Sequence, residues 1–129
     1  MSKRFPILLL PVAALMFALL KGCGAGGPEK QVEAYLKARA EGNANQMVSL
    51  SCSSWEGQAR IEASTFKSLN ARIEGLMCSA GDTQGNASTV TCAGKIITSY
   101  NGESREVNLA DKRYALTLDG GEWRVCGYR

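Results

Sequence analysis

The chain has 129 residues, 45% hydrophobic and 21% charged, with 15 basic and 12 acidic side chains, five cysteines and no histidine. Lys3, Arg4 and Lys21 precede the rest of the charge, so removing those three leaves 12 basic against 12 acidic residues from Gly24 onward. A neutral domain has no electrostatic drive toward a phosphate backbone or an anionic surface, which disfavours nucleic-acid binding, and roughly a hundred residues make one domain with one core.

Lys3 and Arg4 open onto 16 uncharged residues, Phe5 to Leu20, followed by Leu20-Lys21-Gly22-Cys23. A basic start, a short apolar run and a small residue before a cut form a secretory signal. Even wholly helical, 16 residues span about 24 Å, short of the roughly 30 Å of hydrocarbon that a retained anchor must cross. Pro6 and Pro11 interrupt a regular helix as well. The Leu-x-Gly-Cys ending resembles the lipobox of bacterial lipoproteins, with Lys21 where that motif carries a small residue. The resemblance implies that residues 1–22 are a signal peptide and that Cys23 is lipidated and becomes the new N-terminus. Residues 23–28 then form a flexible tether, and residues 29–129 a single domain held on the extracytoplasmic side of a bacterial membrane.

Pro28 to Gly42 reads as a helix. Pro28 suits its first turn, Val32, Tyr35, Leu36 and Ala40 form one apolar stripe, and Gly42 supplies the stop. Asn43 reads as an N-cap with Gln46 three residues on, opening a short helix that presents Ala44, Met47 and Val48 and ends near Cys52. A third helical stretch follows Ser54, with Trp55, Ala59, Ala63 and Phe66 about a turn apart and Gly57 weakening it.

From Ala71 the period changes to two. Ala71 to Ser79 reads as a strand, Ala80 to Asn86 as loop chemistry, and Val90, Cys92, Gly94 and Ile96 alternate along a second strand with one buried face. A hairpin centred on Gly85 places Cys78 opposite Cys92. Asn101-Gly102 favours a two-residue type I′ turn, and counting outward pairs Ile96 with Val107 and Gly94 with Leu109. Gly120-Gly121 pairs Leu118 with Trp123, Leu116 with Val125 and Tyr114 with Gly127. The apolar phase is odd at Val107 and Leu109 but even at Tyr114, Leu116 and Leu118, so a bulge or break within Ala110 to Arg113 must switch faces and bend a long strand. Helices first and an antiparallel sheet of about four strands afterwards make an α+β domain with the helices on one face.

Four cysteines remain after the leader. An even count in an exported chain suggests two disulfides, with three pairings open on paper. The spacings of 25, 13 and 33 intervening residues contain no close pair and no histidine accompanies them, so structural zinc does not fit and no metal or other cofactor is expected. With Cys78 beside Cys92, Cys52 is left for Cys126, tying the helices to the last strand. Cys126 falls on the opposite face from Trp123 and Val125. Either the helices cover the Cys126 face and leave the Trp-Val-Leu stripe exposed or buried in a homodimer, or a local bulge reorients the cysteine.

The opening Val32-Glu33-Ala34-Tyr35-Leu36, the Asn/Gly break, the short helix ending at Cys52, the meandering strands and the closing Glu122-Trp123-Arg124-Val125-Cys126-Gly127 resemble small exported lipoproteins of the nuclear-transport-factor-2-like superfamily. That resemblance implies a cystatin-like roll, a curved sheet wrapped on helices. Its enzymatic members that resemble ketosteroid isomerase use an aspartate base with a tyrosine and a protonated acid in an apolar pocket. Here Asp82, Asp111 and Asp119 fall in loop or bulge positions, and Ser51, Ser53 and Ser54 have no partner for activation. No catalytic residue is therefore assigned. Tyr35, Trp55 and Phe66 read as core, whereas Tyr100, Tyr114, Trp123 and Tyr128 suit either strands or the mouth of a roll. The favoured reading is a noncatalytic module that binds a small apolar ligand or a protein partner through the concave sheet. The alternatives are a protein that dimerises through its sheet face and an enzyme resembling ketosteroid isomerase.

Overall fold

The computed structural model describes residues 26–129. The leader and Cys23 lie outside the described residues. Among the described residues no helix is long and apolar enough to cross a membrane. Helix α1 (Pro28–Glu41) carries Pro28 in its first turn and ends at Gly42, which adopts φ 67°. The Asn43 amide returns to the Ala38 carbonyl at 2.9 Å, closing the helix in the manner of a Schellman motif. A Cβ at Gly42 would stand 2.6 Å from the Lys67 Cα, so this glycine also permits close approach to the end of α3. Helix α2 (Ala44–Ser49) is capped as its sequence implies, the Asn43 side chain accepting from the Gln46 amide. A 3-10 turn at Ser53–Trp55 leads into α3 (Glu56–Phe66).

Five antiparallel strands follow. β1 (Arg72–Gln84) and β2 (Ala87–Tyr100) form a long hairpin in which Cys78 faces Cys92. The expected loop at Ala80 to Asn86 is mostly strand, because β1 is exposed beyond Cys78 and an exposed edge accepts Asp82, Thr83 and Gln84 without burying them. The other edge of β2 is shared. Its second half pairs β3 (Glu103–Asn108) across Asn101-Gly102, with Ile96 opposite Val107, and its first half pairs β4 (Arg113–Asp119). Between these strands a 3-10 turn at Leu109–Asp111 supplies the break needed to switch faces, and it takes Leu109 out of the pairing with Gly94. The long bent strand is therefore two strands, which raises the expected four to five.

Gly94 marks the bend in β2 itself. It sits at φ 105°, and a Cβ there would lie 2.7 Å from the Glu74 and Gly75 carbonyl oxygens. Beside it the β1–β2 register shifts between Glu74 and Met77, a bulge that curves the sheet around the helices. β5 (Glu122–Tyr128) pairs β4 with Leu118 opposite Trp123 and Leu116 opposite Val125. A further register shift then places Ala115 opposite Gly127 and Tyr114 opposite Tyr128, correcting the expected Tyr114–Gly127 pair. Cys126 is the extra residue.

That bulge resolves the conflict over Cys126. Val125 and Leu116 are buried in the core with Val32, Tyr35, Leu36, Met47, Ala59, Ala63 and Phe66, and Trp123 packs against it. The helices thus cover the Trp-Val-Leu stripe, with Val125 and Leu116 buried and Trp123 partly so. Leu50 to Cys52 runs along the outer edge of β5. The Val125 amide donates to the Leu50 carbonyl and the Cys52 amide to the Val125 carbonyl, both at 2.8 Å. Cys52 therefore reaches Cys126 alongside the strand, from the sheet edge. The two cysteine pairs lie at disulfide distance, with Cα separations of 4.9 Å for Cys52–Cys126 and 4.0 Å for Cys78–Cys92.

Candidate functional site

The helical stripes that build the core also carry two charges inward. Arg39 follows Val32, Tyr35 and Leu36 on α1, and Glu62 lies in phase with Ala59 and Phe66 on α3 and with Trp55 in the turn before it. Glu62 is 5% exposed. A buried carboxylate is tolerable only when its oxygens are satisfied, and three neighbours supply that. Tyr35 donates its hydroxyl to Oε2 at 3.0 Å, the Tyr128 hydroxyl donates to Oε1, and Arg39 Nε lies 3.6 Å from Oε2. Trp55 Nε1 donates to the Tyr35 hydroxyl at 2.9 Å, extending the network from the indole to the acid.

The Arg39 guanidinium also lies 4.6 Å from the Phe66 ring centroid, a cation–π arrangement that favours the charge where water is scarce. Burial pushes the Tyr35 phenol above its ordinary range, with the Glu62 charge adding to the rise. Burial likewise raises Tyr114. Tyr128 is pushed up to about 12, first by burial and then by its hydrogen bond to Glu62 and by that residue's charge. All three phenols are neutral at physiological pH, and Tyr35 and Tyr128 serve as donors.

In front of this network lies an open pocket of about 520 Å³, lined by Trp55, Tyr114, Tyr128, Arg113 and Arg129 among others. Trp55 meets Tyr128 edge to face with ring centroids 5.5 Å apart, and Tyr114 meets it at the same distance with planes inclined by 57°. A Cβ at Gly127 would be 3.4 Å from the Trp55 ring, so the small residue lets the indole lie against β5.

The structure sorts the aromatic residues that the sequence left open. Tyr114 and Tyr128 reach the pocket. Tyr100 is 60% exposed and lines a separate depression with Leu69 and Arg105, while Trp123 packs on the core and its carbonyl accepts from Gln31 Nε2. Tyr35 and Phe66 are core residues, as expected, but Trp55 does double duty as core and wall. Asp82, Asp111 and Asp119 are exposed. Ser51 donates its hydroxyl to the Met47 carbonyl, and Ser53 and Ser54 are exposed. Among the described residues no group of three or more His, Cys, Asp or Glu side chains is placed to hold a metal ion. Glu62 and Arg39 were missed by sequence reasoning, although both stand in phase with apolar stripes.

No protein-family model matches the chain. No curated protein matches it either. Solved structures do. A SEC-C motif containing protein from Rhodopseudomonas palustris superposes with a TM-score of 0.58 at 14% identity, covering 83% of this chain and 80% of that one. An NTF2-like protein with a cystatin-like fold from Novosphingobium aromaticivorans gives 0.56 at 10% identity over 78% and 75%. A candidate dehydratase of the NTF2-like family from Streptomyces avermitilis gives 0.57 at 14% identity over 79% and 95%. The fold is the cystatin-like α+β roll of NTF2-like proteins.

Proposed function

We propose that the protein is an exported, lipid-tethered and noncatalytic binding module that takes a small, largely apolar ligand at the Trp55–Tyr114–Tyr128 pocket. The observation that carries this reading is the pairing of an aromatic-walled opening with a carboxylate already engaged on both oxygens. A general base must reach a substrate proton, and with Tyr128 in place Glu62 is held by Tyr35 and Tyr128 on its two oxygens. The leader ending just before Cys23 and the cysteine pairs at disulfide distance support an oxidising, extracytoplasmic location. An NTF2-like fold hosts binding and catalysis alike, so the fold supports the module without deciding its chemistry.

One observation favours the enzymatic alternative. A buried acid with two tyrosines and an arginine is a set that could act if a substrate displaced Tyr128 from Glu62. The two readings separate on small molecules recovered from protein purified out of its own membrane fraction. The binding reading expects a compound released unchanged from the native protein and depleted from Trp55→Ala, whereas equal recovery from both proteins overturns it.

A further inference from the structure

The Tyr128 ring sits in its cage as a ligand would. Two aromatic neighbours, Trp55 and Tyr114, hold it at 5.5 Å between centroids. The Lys112 ammonium and the Arg39 guanidinium lie 5.4 and 5.9 Å from its centroid, and its hydroxyl donates to the buried Glu62. Arg39 Nε faces Glu62 Oε2 at 3.6 Å as an ion pair without a hydrogen bond. Among the described residues, Tyr114 Oη and Arg39 Nε are buried without a hydrogen-bond partner, and buried donors left unmatched cost free energy.

The chemistry that suits the cage around Tyr128 is narrow. A bare hydrocarbon would leave Glu62 Oε1 without a donor. A carboxylate would meet the Glu62 charge at close range. An ammonium would meet the like charges of Arg39 and Lys112. A hydroxyl on an aromatic ring gives its proton to Glu62 and presents a π-face to the cations, as the Tyr128 phenol itself does. Resting on the binding-module reading, we propose that the pocket recognises phenols, and that Tyr128 is an internal occupant which the phenolic ligand displaces.

The test compares p-cresol with toluene, which differ only by the hydroxyl, in NMR titrations of the isotope-labelled protein. In the unaltered protein p-cresol should shift the Trp55 indole and Tyr114 resonances saturably, and toluene should not. Tyr128→Ala vacates the slot, so p-cresol should bind about tenfold more tightly or better and exceed toluene by a similar factor. Tyr128→Phe keeps the packing and removes only the internal hydroxyl, and it should also bind p-cresol more tightly than the unaltered protein. Equal binding of the two probes to Tyr128→Ala, or no gain in either variant, overturns the proposal. If both probes saturate Trp55 and Tyr114 equally, phenol selectivity falls while the binding module stands. If neither probe reaches the pocket in any of the three proteins, both readings fall.

Discussion

Replacing Glu62 by leucine removes the acceptor of two tyrosine hydroxyls and strips Arg39, whose side chain is 14% exposed, of its counter-charge. A buried hydrogen bond to a charged group is worth about 1.5 to 3 kcal/mol, and removing one member of a buried pair costs about 3 to 5 kcal/mol. These effects share the same atoms and do not add, so Glu62→Leu should cost about 3 to 5 kcal/mol. Urea unfolding reads this as a lower midpoint at unchanged slope. Adding Arg39→Met removes the stranded charge and replaces an ion pair with apolar volume. The double variant should therefore be about 1 kcal/mol or more better than Glu62→Leu alone. A single-variant cost below about 1 kcal/mol, or strict additivity of the two substitutions, refutes the claim that this network is dry and mutually compensating.

The cysteine pairs close loops of different length, with sequence separations of 74 for Cys52–Cys126 and 14 for Cys78–Cys92. Chain entropy then predicts losses of about 4.5 and about 3 kcal/mol for the two double serine variants, and denaturation midpoints in that order check it. Tyr35, Tyr114 and Tyr128 all hold their protons more tightly folded than unfolded. The stability they contribute is complete below about pH 10 and is lost as the pH rises toward the Tyr128 value of about 12. Midpoints measured across that window should fall, and should fall less in Tyr128→Phe; a flat profile contradicts the network. Gly94→Ala forces a Cβ against the Glu74 and Gly75 carbonyls, so it should destabilise by about 1 to 3 kcal/mol, whereas Gly85→Ala, with open space around it at the hairpin tip, should lose less.

Local chemistry made much of the fold legible. The Asn43 cap, the Asn101-Gly102 turn and the change of phase before Tyr114 each state a backbone requirement within a few residues, and the structure honours all three. The bulge at Cys126 was foreseen only as one of two alternatives, because it answers a tertiary demand: Val125 must face the helices while Cys126 meets Cys52 at the sheet edge. β1 ran past its expected end because strand pairing outweighs composition on an exposed hairpin.

The site was harder to read. Its acid stands on an apolar stripe, where Glu62 shares a phase with Trp55, Ala59 and Phe66, whereas the aspartates sit at exposed positions. A carboxylate in register with core residues, three or four positions from its apolar neighbours, was the available signal. Tyr128 could be placed on a strand from sequence, but its meeting with Glu62 joins residues 66 positions apart, and only the closed roll brings them together.

The most direct measurement is the intact mass of the protein recovered without reductant from its own membrane fraction. The account predicts a chain beginning at Cys23, heavier by its acyl groups and lighter by the four hydrogens lost in forming two sulfur–sulfur bonds. A product that begins at Met1 and carries four free thiols would contradict it.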